Sequence, residues 1–422
     1  MAEAHNGLSA RTERTGTSDD PLDHLGPGSP AFRSPNRVLV AAGTAARLEL
    51  GEPDGWADDV SVITEALGAI HRDGPDGDPA SGPVAFCAFP FDRRRTASVV
   101  IPEIVRGRDA HGSSWVTTIG PVGRPTPAAA PTPAPTPAPA AIDRPAGEAP
   151  PELRIRASID DASWMHKVTA MTTRIAQGDL DKAVLFRELH LSSDAPLDPI
   201  ALYRRLLPTA PAGYVFHLDG FVGASPELLV SRIDDTVRAQ PMAGTLPRTG
   251  DPQTDLRNAG ELLRSDKLRH EHAVTIERAH DALLGWCSYL DAQPEPQAVE
   301  AGAVLHLATL VEGRLSHPVP SVLDLVAALH PTPAVGGRPL EPALALIDEV
   351  EGLDRDRVGG AVGWVDADGN GEFAVAIRSA LIDGNDARLL AGVGIVADSD
   401  PAAELEETRA KFAAVLPHLI RP

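Results

Sequence analysis

Residues 372–397 read EFAVAIRSALI, DGND and ARLLAGVGIVA in succession, and this stretch decides the fold class. The outer segments are rich in β-branched and apolar residues, whereas DGND has the composition of a tight turn. We therefore predict a β-hairpin. YVFHLDG (214–220) and FVGASPELLVSRI (221–233) predict a second antiparallel pair.

Helical segments alternate with these strands. DASWMHKVTAMTTRIAQG (161–178) and PIALYRRLL (199–207) predict helices, and apolar spacing predicts one long helix from about Gly260 to Trp286. Asp400 followed by Pro401 is a strong start signal for the last helix. Helices combined with antiparallel strand pairs indicate an α+β fold rather than a doubly wound parallel sheet.

Two stretches lack this periodicity. Residues 1–35 hold turn-forming and charged residues, so we expect a disordered N-terminus. Eleven of the 31 residues from Pro121 to Pro151 are proline, which can neither supply ladder donors nor stand inside a helix. We expect an extended polyproline II loop there, which either separates two domains or is an insertion within one.

The chain is strongly acidic, with 59 acidic and 38 basic residues and a formal net charge of −21. This charge argues against nucleic acid or a membrane as the main partner, and an anionic small substrate would need a local cationic patch or a metal ion. Cys87 and Cys287 are isolated, so we expect no disulfide framework and no thiol metal site. Because the N-terminus is polar and no run of about 18 apolar residues occurs, we expect a cytoplasmic protein.

A lysine and a glutamate beside apolar strand residues are candidates for acid–base chemistry. In DKAVLFREL (181–189), Lys182 shares a strand face with two apolar side chains, a setting that suits a base. In FVGASPELLV (221–230), Pro226 interrupts the strand and leaves Glu227 beside two leucines, where a general acid is favoured. The alternatives are a lysine that reaches solvent and a surface glutamate.

Carboxylates on two predicted helices are candidate Mg²⁺ ligands. Glu271 lies in RHEHAV, while Glu404 and Glu407 lie three residues apart in AELEET and so share a helix face. Mg²⁺ prefers a few carboxylates together with waters and substrate oxygens. The two histidines that flank Glu271 lack a third ligand for a transition metal, and a solvated acidic helix face is the alternative for the carboxylates.

The hairpin carries a candidate anion site. On the first predicted strand, Arg378 shares a face with three alanines that leave room for a ligand, and an arginine can bind a carboxylate through two hydrogen bonds. Gly392 and Gly394 would share a face of the other strand and let a ligand approach the backbone. A buried structural ion pair is the alternative for Arg378.

Nine segments, in this order along the chain, resemble those of the chorismate-utilising enzymes, whose members include anthranilate synthase component I and the salicylate synthases. The similarity is greatest to the isochorismate synthases. The segments are DKAVLFR, GASPELLV, MAGTLPRTGD, RHEHAV, HLATLVEGRL, LHPTPAVGG, GEFAVAIRSA, AGVGIV and AELEETRAK. The resemblance implies one large chorismate-binding catalytic domain over residues 36–422, with two facing antiparallel sheets, outer helices and the proline-rich stretch 121–151 as an insertion.

The resemblance also implies roles for individual residues. Lys182 would activate water for attack at C2 of chorismate, and Glu227 would protonate the departing C4 hydroxyl. Glu271 and Glu407, with Glu404 beside them, would hold Mg²⁺ against the ring carboxylate. The remaining residues expected around the substrate are Gly244, Thr245, His306, Ala334, Arg378, Gly392 and Gly394, among which Gly244 and Thr245 would bind the ring carboxylate and Arg378 the pyruvyl carboxylate.

Two positions distinguish reactions within the family, and three depart from its pattern. Relatives that use ammonia carry glutamine where Lys182 stands, so we expect water as nucleophile and no glutaminase partner. Ala334 falls where relatives that eliminate pyruvate have threonine, which favours isochorismate over salicylate. Leu268 replaces an acidic residue near the metal, Val358 a tyrosine at the pyruvyl carboxylate, and Leu246 a common arginine.

The expectation from sequence is therefore a Mg²⁺-dependent isochorismate synthase that binds chorismate and acts as a monomer or weak homo-oligomer. A salicylate synthase and a non-catalytic chorismate-binding homologue remain alternatives. The product could feed siderophore, menaquinone or other aromatic biosynthesis.

Overall fold

The computed structural model describes residues 7–16, 19–51, 55–74, 78–122, 152–178 and 180–420. Within these ranges the chain forms strands and helices in an α+β arrangement. The strands are β1 (Leu8–Thr15), β2 (Ala31–Arg33), β3 (Arg37–Ala42), β4 (Ala46–Leu50), β5 (His71–Asp73), β6 (Val84–Phe89), β7 (Ala97–Ile101), β8 (Ile104–Asp109), β9 (Ser114–Pro121), β10 (Leu153–Ala157), β11 (Lys182–Ser193), β12 (Tyr214–Leu218), β13 (Phe221–Ser225), β14 (Leu228–Ile233), β15 (Thr236–Gln240), β16 (Met242–Pro247), β17 (Cys287–Ala292), β18 (Gln297–Ala301), β19 (Val304–Ala308), β20 (Val311–Leu315), β21 (Gly337–Arg338), β22 (Ala361–Asp366), β23 (Gly371–Val375), β24 (Ser379–Asp383) and β25 (Asp386–Ile395). The helices are α1 (Ser61–Gly68), α2 (Asp161–Ala176), α3 (Pro199–Leu206), α4 (Pro252–Arg264), α5 (Asp266–Leu284), α6 (Val322–Leu329), α7 (Leu340–Val350), α8 (Pro401–Phe412) and α9 (Leu416–Ile420).

The strands form two large sheets and one small one. The first sheet has thirteen strands in the order β10-β11-β25-β24-β13-β12-β2-β3-β8-β9-β1-β5, with β21 added beside β11. The second has nine strands in the order β17-β20-β15-β14-β23-β22-β6-β7-β4, and β16-β19-β18 form the third. Among the described strands, only the β1–β5 pairing is parallel.

The two large sheets face each other across a shared core. In β6, alternate side chains point to opposite faces, so Phe86 packs in the core between the sheets while Cys87 packs beneath the outer helices. Phe216 of the first sheet and Trp364 of the second meet in the same inner core. Helices cover the outer faces, for example α3 through Tyr203. The predicted fold, with facing antiparallel sheets and outer helices, is confirmed.

Several local predictions are confirmed. β12 pairs antiparallel with β13, and β24 with β25. α2 and α3 form where the sequence predicts them. At the start of α8 the Asp400 side chain accepts a hydrogen bond from the Ala403 amide, with Pro401 in the first turn.

Two predictions on residues 252–383 are wrong. The single long helix is two helices, because Ser265 adopts an extended conformation and caps α5 by accepting a hydrogen bond from the Leu268 amide. EFAVAIRSALI is not one strand, since β23 belongs to the second sheet and β24 to the first. Arg378 lies at this break with φ +54°, so the strand face it was predicted to share with three alanines does not exist.

The predicted disorder of residues 1–35 is also wrong where the structure describes this segment. β1 pairs with β9 along all eight of its residues, and Phe32 of β2 is buried between the sheets. The charged pattern that suggested disorder belongs to a sheet strand with one partly solvated face. Most of the proline-rich stretch, residues 123–151, and with it the predicted polyproline II loop, lies outside the described residues. None of the described helices is long and apolar enough to cross a membrane.

Candidate active site

The site begins at a place where two neighbouring strands leave one sheet and enter the other. β13 passes to β14 at Pro226 and Glu227, and β23 passes to β24 around Arg378. The Val375 amide donates to the Glu227 carbonyl at 3.1 Å, and the Ala224 amide donates to the Arg378 carbonyl at 3.0 Å. The two crossings therefore lie side by side in the gap between the sheets. One carries the ionisable side chain of Glu227 and the other that of Arg378.

A cavity of about 920 Å³ opens at this gap, within the size range of small-molecule sites. All twelve residues predicted for the site line it. They are Lys182, Glu227, Gly244, Thr245, Glu271, His306, Ala334, Arg378, Gly392, Gly394, Glu404 and Glu407. Segments far apart in sequence thus converge on one space.

Lys182 is the first residue of β11 and reaches the cavity across a glycine. A Cβ at Gly394 on the neighbouring strand would overlap the end of the Lys182 side chain, so glycine there leaves the space that this side chain occupies. The Lys182 Nζ donates a hydrogen bond to Glu271 Oε1 at 2.7 Å, and the lysine side chain is 13% exposed. This ion pair joins the strand to helix α5.

Glu227 is a buried carboxyl, 3% exposed. Burial raises its pKa to about 8, even though the charges of Arg378 and Lys182 act to lower it. Its Oε1 accepts only a long hydrogen bond, at 3.4 Å, from the Met242 amide. Glu227 is therefore protonated at neutral pH and able to donate a proton.

Arg378 is held by a neutral histidine. Its Nη2 lies 3.3 Å from His306 Nε2, and His306 Nδ1 lies 3.2 Å from both the Gly244 carbonyl oxygen and Thr245 Oγ1. Because a carbonyl only accepts, Nδ1 carries the proton and Nε2 accepts from Arg378. Burial and the neighbouring Arg378 charge lower the pKa of His306 to about 3, so the ring stays neutral.

The local backbone of β16 places the Gly244 carbonyl beside His306. Gly244 has φ +71°, and the register of β16 against β19 shifts between Ala243 and Thr245. The left-handed conformation favours glycine, and the bulge turns the Gly244 carbonyl towards His306.

Burial lowers the pKa of Arg378 to about 10, so the guanidinium is still charged at neutral pH.

The three glutamates of the predicted metal site differ in their partners. Glu271 is paired with Lys182, and Glu407 accepts a hydrogen bond from Lys411 Nζ at 2.7 Å. Burial acts to raise the pKa of both carboxyls, but the surrounding cationic groups together outweigh it, and each pKa lies below its ordinary value. Among the described residues, no lysine or arginine nitrogen lies at salt-bridge distance from Glu404.

Burial raises the pKa of Glu404 to about 7, and the charges of Glu407 and Glu271 act in the same direction, against a hydrogen bond from Ser399. Burial is thus the main cause of the shift, and the two neighbouring carboxylates add to it. Within the described part of the chain, no three His, Cys, Asp or Glu side chains are gathered around one point as a metal site.

Sequence reasoning missed Lys411. This residue is buried, with 10% of its side chain exposed, and it also donates to the Gly392 carbonyl at 2.7 Å. Its position four residues after Glu407 on a helix is the signal that could have found it. Lys411 thus supplies a second amine to the cavity, opposite in charge to the chain as a whole.

The three family departures fall in different places. Leu268 lines the cavity and packs against Gly244. Val358 is fully buried between the sheets and is not a lining residue. Leu246 packs beside Leu262 in a small cluster under the third sheet, also away from the lining. Only Leu268 can act on the cavity directly.

Comparison with known proteins agrees with this geometry. The family described as chorismate binding enzyme matches residues 31–420. The chain belongs to this family of chorismate-binding enzymes.

Several relatives match over nearly their whole length. The chain is 36% identical to isochorismate synthase DhbC of Bacillus subtilis over 407 residues, covering 94% of each chain. It is 33% identical to isochorismate synthase EntC of Escherichia coli K12, covering 93% of this chain and 95% of the relative. A crystal structure of a putative 2,3-dihydroxybenzoate-specific isochorismate synthase, DhbC from Bacillus anthracis, superposes with a TM-score of 0.78 at 33% identity, covering 94% of this chain and 98% of that one.

Proposed function

We propose that this protein is an isochorismate synthase, which converts chorismate to isochorismate by adding water at C2 and expelling the C4 hydroxyl. The observation that carries the proposal is the buried Glu227, a protonated acid that lines the same cavity as the amine of Lys182. The names of the relatives support the same reaction.

The acid and the base would have separate tasks. In its neutral form, Lys182 accepts a proton from the attacking water as the C2–O bond forms. Glu227 donates a proton to the C4 oxygen as the C4–O bond breaks, so the leaving group departs as water. One water is consumed and one is released, and proton return from Lys182 to Glu227 through solvent completes an isomerisation.

The cationic groups of the cavity would hold the two carboxylates of chorismate. We assign Arg378 to the pyruvyl carboxylate, because its buried guanidinium is charged and oriented by His306. The Gly244–Thr245 segment and Lys411 border the space left for the ring carboxylate. Local positive charge thus overcomes the repulsion expected from a chain of net charge −21.

We further propose that Glu271 and Glu407, with Glu404 beside them, bind Mg²⁺. The donor set fits, since all three offer carboxylate oxygens to one cavity, and burial, together with the charges of Glu407 and Glu271, raises the pKa of Glu404. When bound, Mg²⁺ supplies positive charge that orients the ring carboxylate.

The test is an assay of purified protein with chorismate and Mg²⁺, with products separated and ammonium supplied or withheld. Isochorismate as the product, lost in Lys182→Ala and Glu227→Gln, supports the proposal. Untouched chorismate would overturn it, and tight binding without turnover would indicate a non-catalytic homologue. Pyruvate and salicylate would indicate a salicylate synthase, which Ala334 argues against.

The proposal includes the setting of the enzyme. We expect it to act in the cytoplasm as a monomer or weak homo-oligomer, as a single catalytic domain with the proline-rich stretch as a surface insertion. Because water is the nucleophile, no glutaminase partner is needed, and ammonium should leave the product unchanged. The relatives' names do not decide which pathway receives the isochorismate.

A further inference from the structure

A buried arginine lies directly behind the cavity without lining it. The side chains of Arg355 and Glu351 are each 2% exposed, and Arg355 Nε and Nη2 donate to the two carboxylate oxygens of Glu351 at 2.6 Å each. The guanidinium lies between the rings of Phe91 and Phe186, at 4.1 and 4.2 Å from their centroids. Hydrogen bonds to Glu351 along its edge and contacts with the two aromatic rings hold the planar Arg355 guanidinium in one orientation.

This pair connects two separate walls of the cavity. Arg355 Nη2 donates to the Val184 carbonyl of β11 at 2.8 Å, and Nη1 donates to the Val335 carbonyl at 2.7 Å. Glu351 accepts from the Phe186 amide of the same strand at 2.7 Å. Val335 lines the cavity next to Ala334, and Phe186 lines it four residues after Lys182.

We propose that Arg355, oriented by Glu351, is a positioning residue. It holds strand β11, which carries Lys182, at a fixed distance from the Ala334–Val335 segment on another wall of the cavity. The inference rests on the proposed function, in which Lys182 is the base. A lysine at position 355 keeps the charge but lacks the planar fork, so it cannot bond both carbonyls and both carboxylate oxygens. The reacting groups would then shift, and misplacement by about 1 Å costs on the order of a hundredfold in rate.

The test compares Arg355→Lys with a matched control, Arg33→Lys. Arg33 also donates to three backbone carbonyls, those of Leu207, Pro211 and Gly213, at 2.8 to 3.1 Å, but it does not line the cavity or contact its walls. Chorismate turnover would be measured at saturating and subsaturating substrate. Hydrogen exchange would be followed in peptides that cover 182–187 and 332–337.

For Arg355→Lys we expect kcat to fall by about a hundredfold with a smaller change in KM, because the defect lies at the reacting atoms. Exchange should accelerate in both peptides. Arg33→Lys should keep wild-type kinetics and accelerate exchange only near 207–213. Should Arg355→Lys not fold, Glu351→Gln, which retains one acceptor, should give a smaller fall in kcat.

Equal kinetics for Arg355→Lys and Arg33→Lys, or faster exchange at 182–187 with unchanged kcat, would overturn the positioning role. If Arg355→Lys does not fold, an unchanged kcat in Glu351→Gln would overturn it as well. These outcomes differ from failure of the proposed function, in which wild-type protein itself leaves chorismate unconverted.

Discussion

Lys182 and Glu271, the proposed base and a proposed metal ligand, share a hydrogen bond of 2.7 Å. The ammonium therefore occupies an oxygen that Mg²⁺ would use, and the two cations compete for one carboxylate. The same holds on α8, where Lys411 is bonded to Glu407. If Mg²⁺ binds as proposed, its binding is therefore coupled to the charge of the two lysines.

From this coupling we predict that Lys182→Ala binds Mg²⁺ more tightly than wild type while losing turnover. Removing the ammonium removes both a competitor and a like-charge repulsion. Calorimetric titration of Mg²⁺ without chorismate gives the affinity directly. Lys267→Ala, which removes an exposed ion pair with Asp398 at the cavity rim, is the control and should change the affinity less. Weaker binding in Lys182→Ala would contradict the competition.

Glu227 should govern the alkaline side of the pH profile. Its pKa of about 8 means that the carboxyl is protonated below that pH and loses its proton above it. We expect kcat/KM for chorismate to fall as pH rises through about 8, because the general acid is lost. Glu227→Gln should be inactive at every pH.

Ionisation of the buried Glu227 carboxyl should lower the free energy of unfolding at high pH. Its folded pKa lies above its ordinary value of 4.5, so the folded state is not penalised below pH 4.5, and the penalty grows until about pH 8. Glu227→Gln should therefore become more stable than wild type by roughly 1–3 kcal/mol as pH rises across that window, in urea unfolding. Glu372→Gln is the control, since burial also raises the pKa of Glu372 but this residue is outside the cavity lining.

The Glu372→Gln control separates the effect of carboxyl ionisation on stability from its effect on activity. Glu372→Gln should show a similar stability trend and keep the wild-type pH dependence of kcat/KM. An identical pH–activity profile in wild type and in a Glu227 variant that retains turnover would remove Glu227 from the acid role.

Gly394→Ala should reduce turnover without unfolding the protein. The added methyl would overlap the end of the Lys182 side chain, which must leave its present position. We expect kcat to fall by about a hundredfold. Gly285→Ala, where a Cβ meets nothing within 4 Å, is the matched substitution and should behave like wild type. Normal kcat in Gly394→Ala would show that the Lys182 position is not critical.

Leu268→Asp should lower the Mg²⁺ concentration that gives half-maximal activity. Leu268 lies three residues before Glu271 on α5 and lines the cavity, so a carboxylate there adds an oxygen ligand on the same helix face. Leu268→Asn introduces a side chain of the same size as aspartate but without its charge, and it should not shift the Mg²⁺ requirement. Both variants lose the contact with the Leu262 cluster, so stability alone would not distinguish them.

The sequence by itself determined features that depend on neighbouring residues. The Asp400 cap, the β24–β25 hairpin and helices α2 and α3 follow from short-range patterns, and the α+β class follows from their order. The ordered motifs also identified the family and twelve residues that prove to line one cavity. Such patterns are legible because backbone periodicity and capping act over a few residues.

Only the tertiary structure decided what those residues face. The burial that raises the pKa of Glu227, the bond from Arg378 to His306 and the Lys182–Glu271 pair all join segments far apart in the chain. The break at Arg378 was unpredictable because the strand pattern continues through it while the chain changes sheets. Desolvation and long-range ion pairing depend on where the whole chain places a group, and no local pattern in the sequence specifies that.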